Sequence, residues 1–161
     1  MTQIDRHTIE LELPYIPPSV NKAYFQRGRI RALSSEGLRF KREATADLSR
    51  NFSQELASLD WERSDVGFGI AYVFCAPTYV NKGYGTTTRT KYKKWDATNR
   101  VKLLEDVLVT VSGADDSRFL TTLIHKAFAE SESTVIVIWE QSWWEPIPDH
   151  VARRINGFTK V

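Results

Sequence analysis

The sequence predicts an α/β fold of the mixed α+β kind: a small mixed sheet of about four strands packed with two main helices in a single domain. Three observations carry this. Four segments are rich in strand-forming residues, "IELELPYI", "VGFGIAYVFCAP", "FLTTLIHKAF" and "STVIVIWEQ". Two longer segments repeat apolar residues at helical spacing. Their order along the chain is β, α, β, α, β, β, and 161 residues suit one compact unit.

Each element has its own signal. "IELELPYI" alternates apolar and polar residues, as a half-buried strand does. "PPSVNKAYFQRGRIRAL" opens on prolines, is strongly basic, and reads as a loop or loose hairpin. "SSEGLRFKREATADLSRNFSQELAS" reads as a helix: Ser34 or Ser35 can cap it, and Leu38, Ala44 or Thr45, Leu48 and Phe52 keep a helical rhythm. "VGFGIAYVFCAP" is an apolar run suited to a central strand. Residues 77–94 are polar and basic with two glycines, and predict a long mobile loop. A helix follows from about Ala97 to Val111, with Val101, Leu104, Leu108 and Val111 as its core stripe. Two strands separated by "AESES" come next, and residues 141–161 read as a C-terminal extension or tail. Its adjacent Trp143 and Trp144 are expected to be buried.

Composition narrows the function classes. With 42% hydrophobic residues the chain can build a core without crosslinks. One cysteine, Cys75, excludes an intramolecular disulfide framework and a Cys-rich zinc site, and it lies in an apolar run where it reads as buried. No apolar stretch is long enough to span a membrane, and the N-terminus lacks a signal-peptide layout, so a cytoplasmic location is expected. Net charge is only +2, but its distribution is uneven. Lys82, Arg89, Lys91, Lys93, Lys94, Arg100 and Lys102 face one acid, Asp96, between positions 82 and 102, and Arg27, Arg29 and Arg31 form a second cluster. Such local patches attract polyanions even on a nearly neutral chain.

The segment "KKWDATNRVKLLEDVLVTVSGADDS" concentrates the chemistry. Asp96 lies at the start of the helix, Asn99, Lys102 and Asp106 line its polar side, and Asp115 and Asp116 follow its end. A 15-residue helix is about 22 Å long at ~1.5 Å per residue, so Asp96 and Asp115 meet only if the chain folds back, for example along a strand antiparallel to the helix. Converged carboxylates make a hard-oxygen site of the kind Mg²⁺ or Mn²⁺ prefers, and such ions clamp phosphoryl oxygens and activate water. A lysine beside them can stabilise the transition state. Each residue also has a structural reading: Asp96 as a helix cap, Lys102 and Asp106 as an exposed i, i+4 pair, "GADDS" as a turn, and the basic loop as a solvated surface.

Two blocks carry a resemblance to a family. "LPYIPPSVNKAYF…GRIRALSSEGLRFK" looks like the N-terminal P-P-S-x-N block, and "DATNRVKLLEDVL…GADDS" looks like the D-x-D-N-x-x-K helix with its paired aspartates, of the RusA-type endodeoxyribonucleases. These are crossover (Holliday) junction resolvases, often of phages and prophages. The resemblance runs over roughly residues 8–140. It implies a Mg²⁺-dependent (or Mn²⁺-dependent) nuclease for recombination and repair that binds branched DNA as a homodimer and nicks two symmetric strands. Paired cuts on a two-fold substrate suit a two-fold dimer.

Carried over position by position, the resemblance makes Asp96, Asn99, Lys102, Asp115 and Asp116 the catalytic residues, with Asp96, Asp115 and Asp116 as metal ligands and Asp106 as the helix aspartate. Lys102 would act on the scissile phosphate. Arg27, Arg29, Arg31, Lys82, Arg89, Lys91, Lys93, Lys94 and Arg100 become DNA contacts. Tyr79, Tyr84, Tyr92 and Trp95 become candidates for stacking at an opened branch point.

The chain departs from the pattern at Thr98, where the family has a second aspartate. Three outcomes are open there: a site compensated by Asp106, Asp115 or Asp116, a weakened enzyme, or a protein that binds branched nucleic acid without cutting. A further alternative is a soluble protein whose basic loop contacts a protein partner.

Overall fold

In the computed structural model, which describes residues 7–142 and 145–158, a four-stranded mixed sheet is sandwiched between helices. Its strands are β1 (Thr8–Leu13), β4 (Gly67–Ala76), β5 (Phe119–Phe128) and β6 (Ser133–Gln141), in the order β1-β6-β4-β5. β6 is antiparallel to both β1 and β4, while β4 and β5 run parallel. β2 (Tyr24–Arg27) and β3 (Ile30–Leu33) form a separate antiparallel hairpin. The helices are α1 (Val20–Ala23), α2 (Ser35–Asn51), α3 (Ser53–Ala57), α4 (Thr98–Ser112) and α5 (Asp149–Gly157).

The two interior strands read as continuous apolar runs because both sheet faces are covered. On one face α2 and α4 pack Phe40, Ala44, Leu48, Val101, Leu104 and Leu108 over Leu11, Leu13, Phe68, Ile70, Tyr72, Phe74, Ile136 and Ile138. On the other, α5 sets Val151 and Ile155 over Ala71, Val73, Cys75, Val135, Val137 and Trp139. Cys75 is a buried free thiol, as its apolar run predicted.

Some elements differ from the sequence reading, each for a local reason. The basic N-terminal excursion, read as a loop or loose hairpin, is the hairpin, with a tight two-residue turn; the short α1 before it is the added element. The long N-terminal helix divides at Phe52, whose backbone leaves helical geometry (φ −131°, ψ 23°) while its ring packs on the core. The tail contains α5, which two apolar residues four apart and a flanking Pro148 did not announce. It docks on this chain's own sheet, helped by an Arg154 guanidinium that donates through Nε to Glu10 at 2.7 Å. Trp143 and Trp144 lie outside the described residues.

The connection from β4 through α4 to parallel β5 positions the site. The strands run one way, so α4 must run back. Its N-terminus therefore shares an end of the sheet with the carboxyl ends of β4 and β5, where open α/β sheets place ligands. Its C-terminus lies at the opposite end.

Candidate active site

A helix start leaves backbone N–H groups without partners, and an acid placed just before it can accept them. Asp96 does this for α4. Its Oδ1 accepts the Thr98 N–H at 3.0 Å and the Thr98 hydroxyl at 2.5 Å, and its Oδ2 accepts the Asn99 side-chain amide at 2.8 Å. The Thr98 hydroxyl, more than the Asn99 and Lys126 contributions, holds the Asp96 carboxyl below the usual carboxylate range. Asp96 is thus exposed, ionised at neutral pH and fixed in orientation. Thr98 supplies a donor where a second carboxylate would supply repulsion, and Asn99 spends its amide on holding Asp96.

The residues next to Asp96 brace it. The Lys126 ammonium, on β5, donates to the Trp95 carbonyl at 2.6 Å and lies 5.1 Å from the Trp95 ring centre. The Arg100 guanidinium lies 4.4 Å from the ring centre of the same Trp95 and donates to the Pro17 carbonyl. Phe74 and Tyr79 meet the Trp95 ring edge-on at 5.5 and 5.3 Å. The Tyr79 hydroxyl donates to the Phe74 carbonyl, and burial pushes its pKa up to about 12. Trp95 and Tyr79 are therefore packing residues, whereas Tyr84 and Tyr92 are exposed. Arg100 is likewise turned inward, half-buried on Trp95 and bonded to the Pro17 carbonyl, and burial lowers its pKa.

Along α4, the polar side is as the spacing predicts. Lys102 pairs with Asp106 at 3.4 Å, and the Tyr24 hydroxyl of β2 donates to Asp106 at 3.1 Å. Glu105 sits half-buried beside them. Burial chiefly raises its pKa, and the nearby Asp116 and Asp106 add to the rise against Lys102. Past the helix end, Asp115 accepts the Ser117 N–H at 2.9 Å and caps a one-turn 3₁₀ segment, Asp116–Arg118. That interaction with Ser117 holds the Asp115 carboxyl low. Arg118 reaches across to the carbonyls of Trp61, Arg63 and Val66, pinning the turn.

The structure brings some predicted residues together and separates others. Asp96, Asn99 and Lys126 form one group, Lys102 pairs with Asp106, and Asp116 reaches that pair only through its influence on the half-buried Glu105. Asp96 and the pair Asp115–Asp116 flank opposite ends of the 15-residue α4, on the order of 22 Å apart along its axis. The chain does fold back along α4 as β5, but the aspartates precede that strand and stay at its far end. The return delivers Lys126 to Asp96, a residue whose position on a strand carries no sequence signal. Among the described residues no three His, Cys, Asp or Glu side chains gather closely enough to hold a metal ion. One chain alone thus offers a divalent ion a single well-oriented carboxylate at each end of α4, short of a full ligand shell.

The cationic surface has two parts. The segment 77–94 is closed on itself: the Asn81 amide donates to the carbonyls of Thr90 (2.7 Å) and Tyr92 (3.0 Å), and the Lys93 N–H to that of Tyr79 (2.8 Å). These bonds replace the irregular chain that the sequence suggested, and they display Lys82, Arg89, Lys91, Lys93 and Lys94 to solvent. Arg27, Arg29 and Arg31 are exposed on the β2–β3 hairpin, with Arg31 lying 4.5 Å over the Tyr24 ring. No described helix is long and apolar enough to cross a membrane.

Comparison with known proteins gives a family match. The family described as Endodeoxyribonuclease RusA matches residues 14–139, which include both motif blocks. No curated protein matches the chain. Among solved structures, the periplasmic domain of Helicobacter pylori MotB aligns at 15% identity over 94% of this chain and 88% of that one. The TM-score of that alignment is 0.28.

Proposed function

We propose that this chain, which belongs to the RusA endodeoxyribonuclease family, resolves four-way DNA junctions by Mg²⁺-dependent (or Mn²⁺-dependent) phosphodiester hydrolysis as a homodimer. The observation that carries this is the family match over residues 14–139.

The separation of the carboxylates supports the dimer. Two copies related by a two-fold axis, with their α4 helices side by side and antiparallel, bring Asp96 next to Asp115 and Asp116 of the partner subunit. Each site then draws on both ends of the helix, and two sites arise together, matching two symmetric nicks. A divalent ion bound there supplies Lewis-acid charge and an activated water.

This chain's residues prepare that chemistry. Asp96 is held ionised and aimed by Thr98 and Asn99. Lys102 is exposed one turn along the same helix, free to turn from Asp106 to a phosphate oxygen. The basic segment and the hairpin arginines offset the repulsion between these carboxylates and the DNA backbone, so binding should weaken steeply with salt.

The test is cleavage of a labelled mobile junction beside a linear duplex, with and without Mg²⁺. Paired nicks in the junction alone, lost in Asp96→Asn, are expected; an intact junction with either metal refutes the enzymatic reading. Mixing Asp96→Asn protein with an Asp115→Asn/Asp116→Asn variant tests the shared site. Heterodimers should recover nicking through their one complete site, and no recovery rejects the two-chain arrangement.

The hydroxyl of Thr98, bonded to Asp96 in place of a second carboxylate, favours a second reading: a junction-binding protein without cleavage. Tight junction binding without nicks, converted to cleavage by Thr98→Asp, would establish it.

A further inference from the structure

The β2–β3 hairpin has two unlike faces. Its register pairs Tyr24 with Leu33, Phe25 with Ala32, Gln26 with Arg31 and Arg27 with Ile30. Because side chains alternate along each strand, Tyr24, Gln26, Arg31 and Leu33 share one face and Phe25, Arg27, Ile30 and Ala32 the other. The first face is anchored. Tyr24 and Leu33 pack on the core, and the Tyr24 hydroxyl donates to Asp106 on α4. The second face is bare: Phe25 is 49% and Ile30 69% exposed.

The turn is tight. Gly28 has φ 62° at the first central position, as a II′ hairpin turn requires. The Ser34 N–H closes the base of the hairpin on the Ala23 carbonyl at 2.8 Å. The two exposed apolar side chains are thus held out on a short ribbon rooted against the helix that carries Lys102 and Asp106.

Charge decides what such a ribbon fits. Arg27 shares the bare face with Phe25 and Ile30, Arg29 sits in the turn, Arg31 lies on the opposite face over Tyr24, and no acid occurs between Glu12 and Glu36. A second copy of the ribbon would bring Arg27 and the turn's Arg29 against their own copies, and that face carries no acid of its own. A nucleic acid offers phosphates for the arginines and stacked bases for the apolar tips. We infer that the hairpin is a wedge: Phe25 and Ile30 enter the branch point of a DNA junction between unstacked bases while the three arginines clamp the flanking phosphates. This rests on the junction reading above and assigns its selectivity to residues outside the family's catalytic motif. At a branch point stacking is already interrupted, so insertion costs less there than in an intact duplex.

The experiment uses a double variant, Phe25→Thr/Ile30→Thr, which keeps strand-forming residues and all three arginines. A four-way junction carries 2-aminopurine at the branch point, and binding is measured without divalent metal beside a linear duplex. Wild type should raise the fluorescence on binding. The double variant should lose that rise and lose about tenfold in junction affinity, the scale of one lost base–aromatic contact, while its duplex affinity and melting temperature stay as in wild type. Phe25→Trp should retain the signal.

Wild type that binds and cuts junctions, with an unchanged double variant, overturns the wedge and leaves the nuclease reading standing. A double variant that becomes monomeric where wild type is dimeric also overturns it, by making the hairpin a self-association face. Wild type that binds no junction overturns both.

Discussion

Replacing Gly37 by alanine sets two physical effects against each other. Gly37 is the third residue of α2, and helix propensity alone favours alanine by up to about 1 kcal/mol. In the tertiary structure, a Cβ there would strike the Ala23 carbonyl oxygen far inside van der Waals contact and lie 3.1 Å from its carbonyl carbon. The obstacle is backbone, so no rotamer change relieves it. Overpacking of this kind costs roughly 1–3 kcal/mol. The same carbonyl accepts the Ser34 N–H at 2.8 Å, and displacing it loses roughly another 1 kcal/mol. The clash wins, and Gly37→Ala should destabilise the protein by about 1–3 kcal/mol, which lowers the melting temperature by roughly 3–10 °C for a chain of this size. Urea unfolding followed by circular dichroism measures it. A Gly37→Ala protein as stable as wild type or more so would show that α2 and the hairpin base are not in this close contact. Ala23 also ends the short helix that leads into β2, so the variant should blunt junction binding alongside its loss of stability.

Other changes test the same structure elsewhere. Among the described residues the buried Tyr72 hydroxyl has no hydrogen-bond partner, so Tyr72→Phe should be neutral or stabilise by about 1 kcal/mol; a loss of 1 kcal/mol or more in urea unfolding would reveal a partner. Asp96 is depressed in the folded state, so its contribution to stability is complete above the unfolded carboxyl pKa near 4 and fades as pH falls through the lower folded value. Thr98→Val removes the largest cause, and the Asp96 carboxyl titration followed by NMR should move upward; an unmoved titration would mean that the hydroxyl does not hold it. Arg118→Lys keeps the charge but cannot span the Trp61, Arg63 and Val66 carbonyls, and should cost about 2 kcal/mol in thermal or urea unfolding. An unchanged midpoint would place the 61–66 loop under other control.

Local patterns determined much of this protein. Alternation in β1, the apolar runs of β4 and β6 and the Val101–Leu108 stripe of α4 each fix an element, because burial of one face imposes its own period on the residues. The motif residues on α4 were legible for the same reason: Asn99, Lys102 and Asp106 share the face opposite that stripe. Where the signals were short or mixed, they failed. α5 offers only Val151 and Ile155, four apart, as a hint in sequence, and the break at Phe52 follows from where its ring finds the core.

What the tertiary structure alone decided is which distant groups meet. The sequence permitted Asp96 and Asp115 to converge, but the parallel β4–α4–β5 crossover holds them at opposite ends of the helix and brings Lys126 to Asp96 instead. It packs Arg100 against Trp95, and it puts Phe25 and Ile30 in solvent. Local order follows from side-chain period and backbone sterics, which neighbouring residues set among themselves. Contacts between residues dozens of positions apart follow from strand direction and layer packing, which belong to the assembled fold.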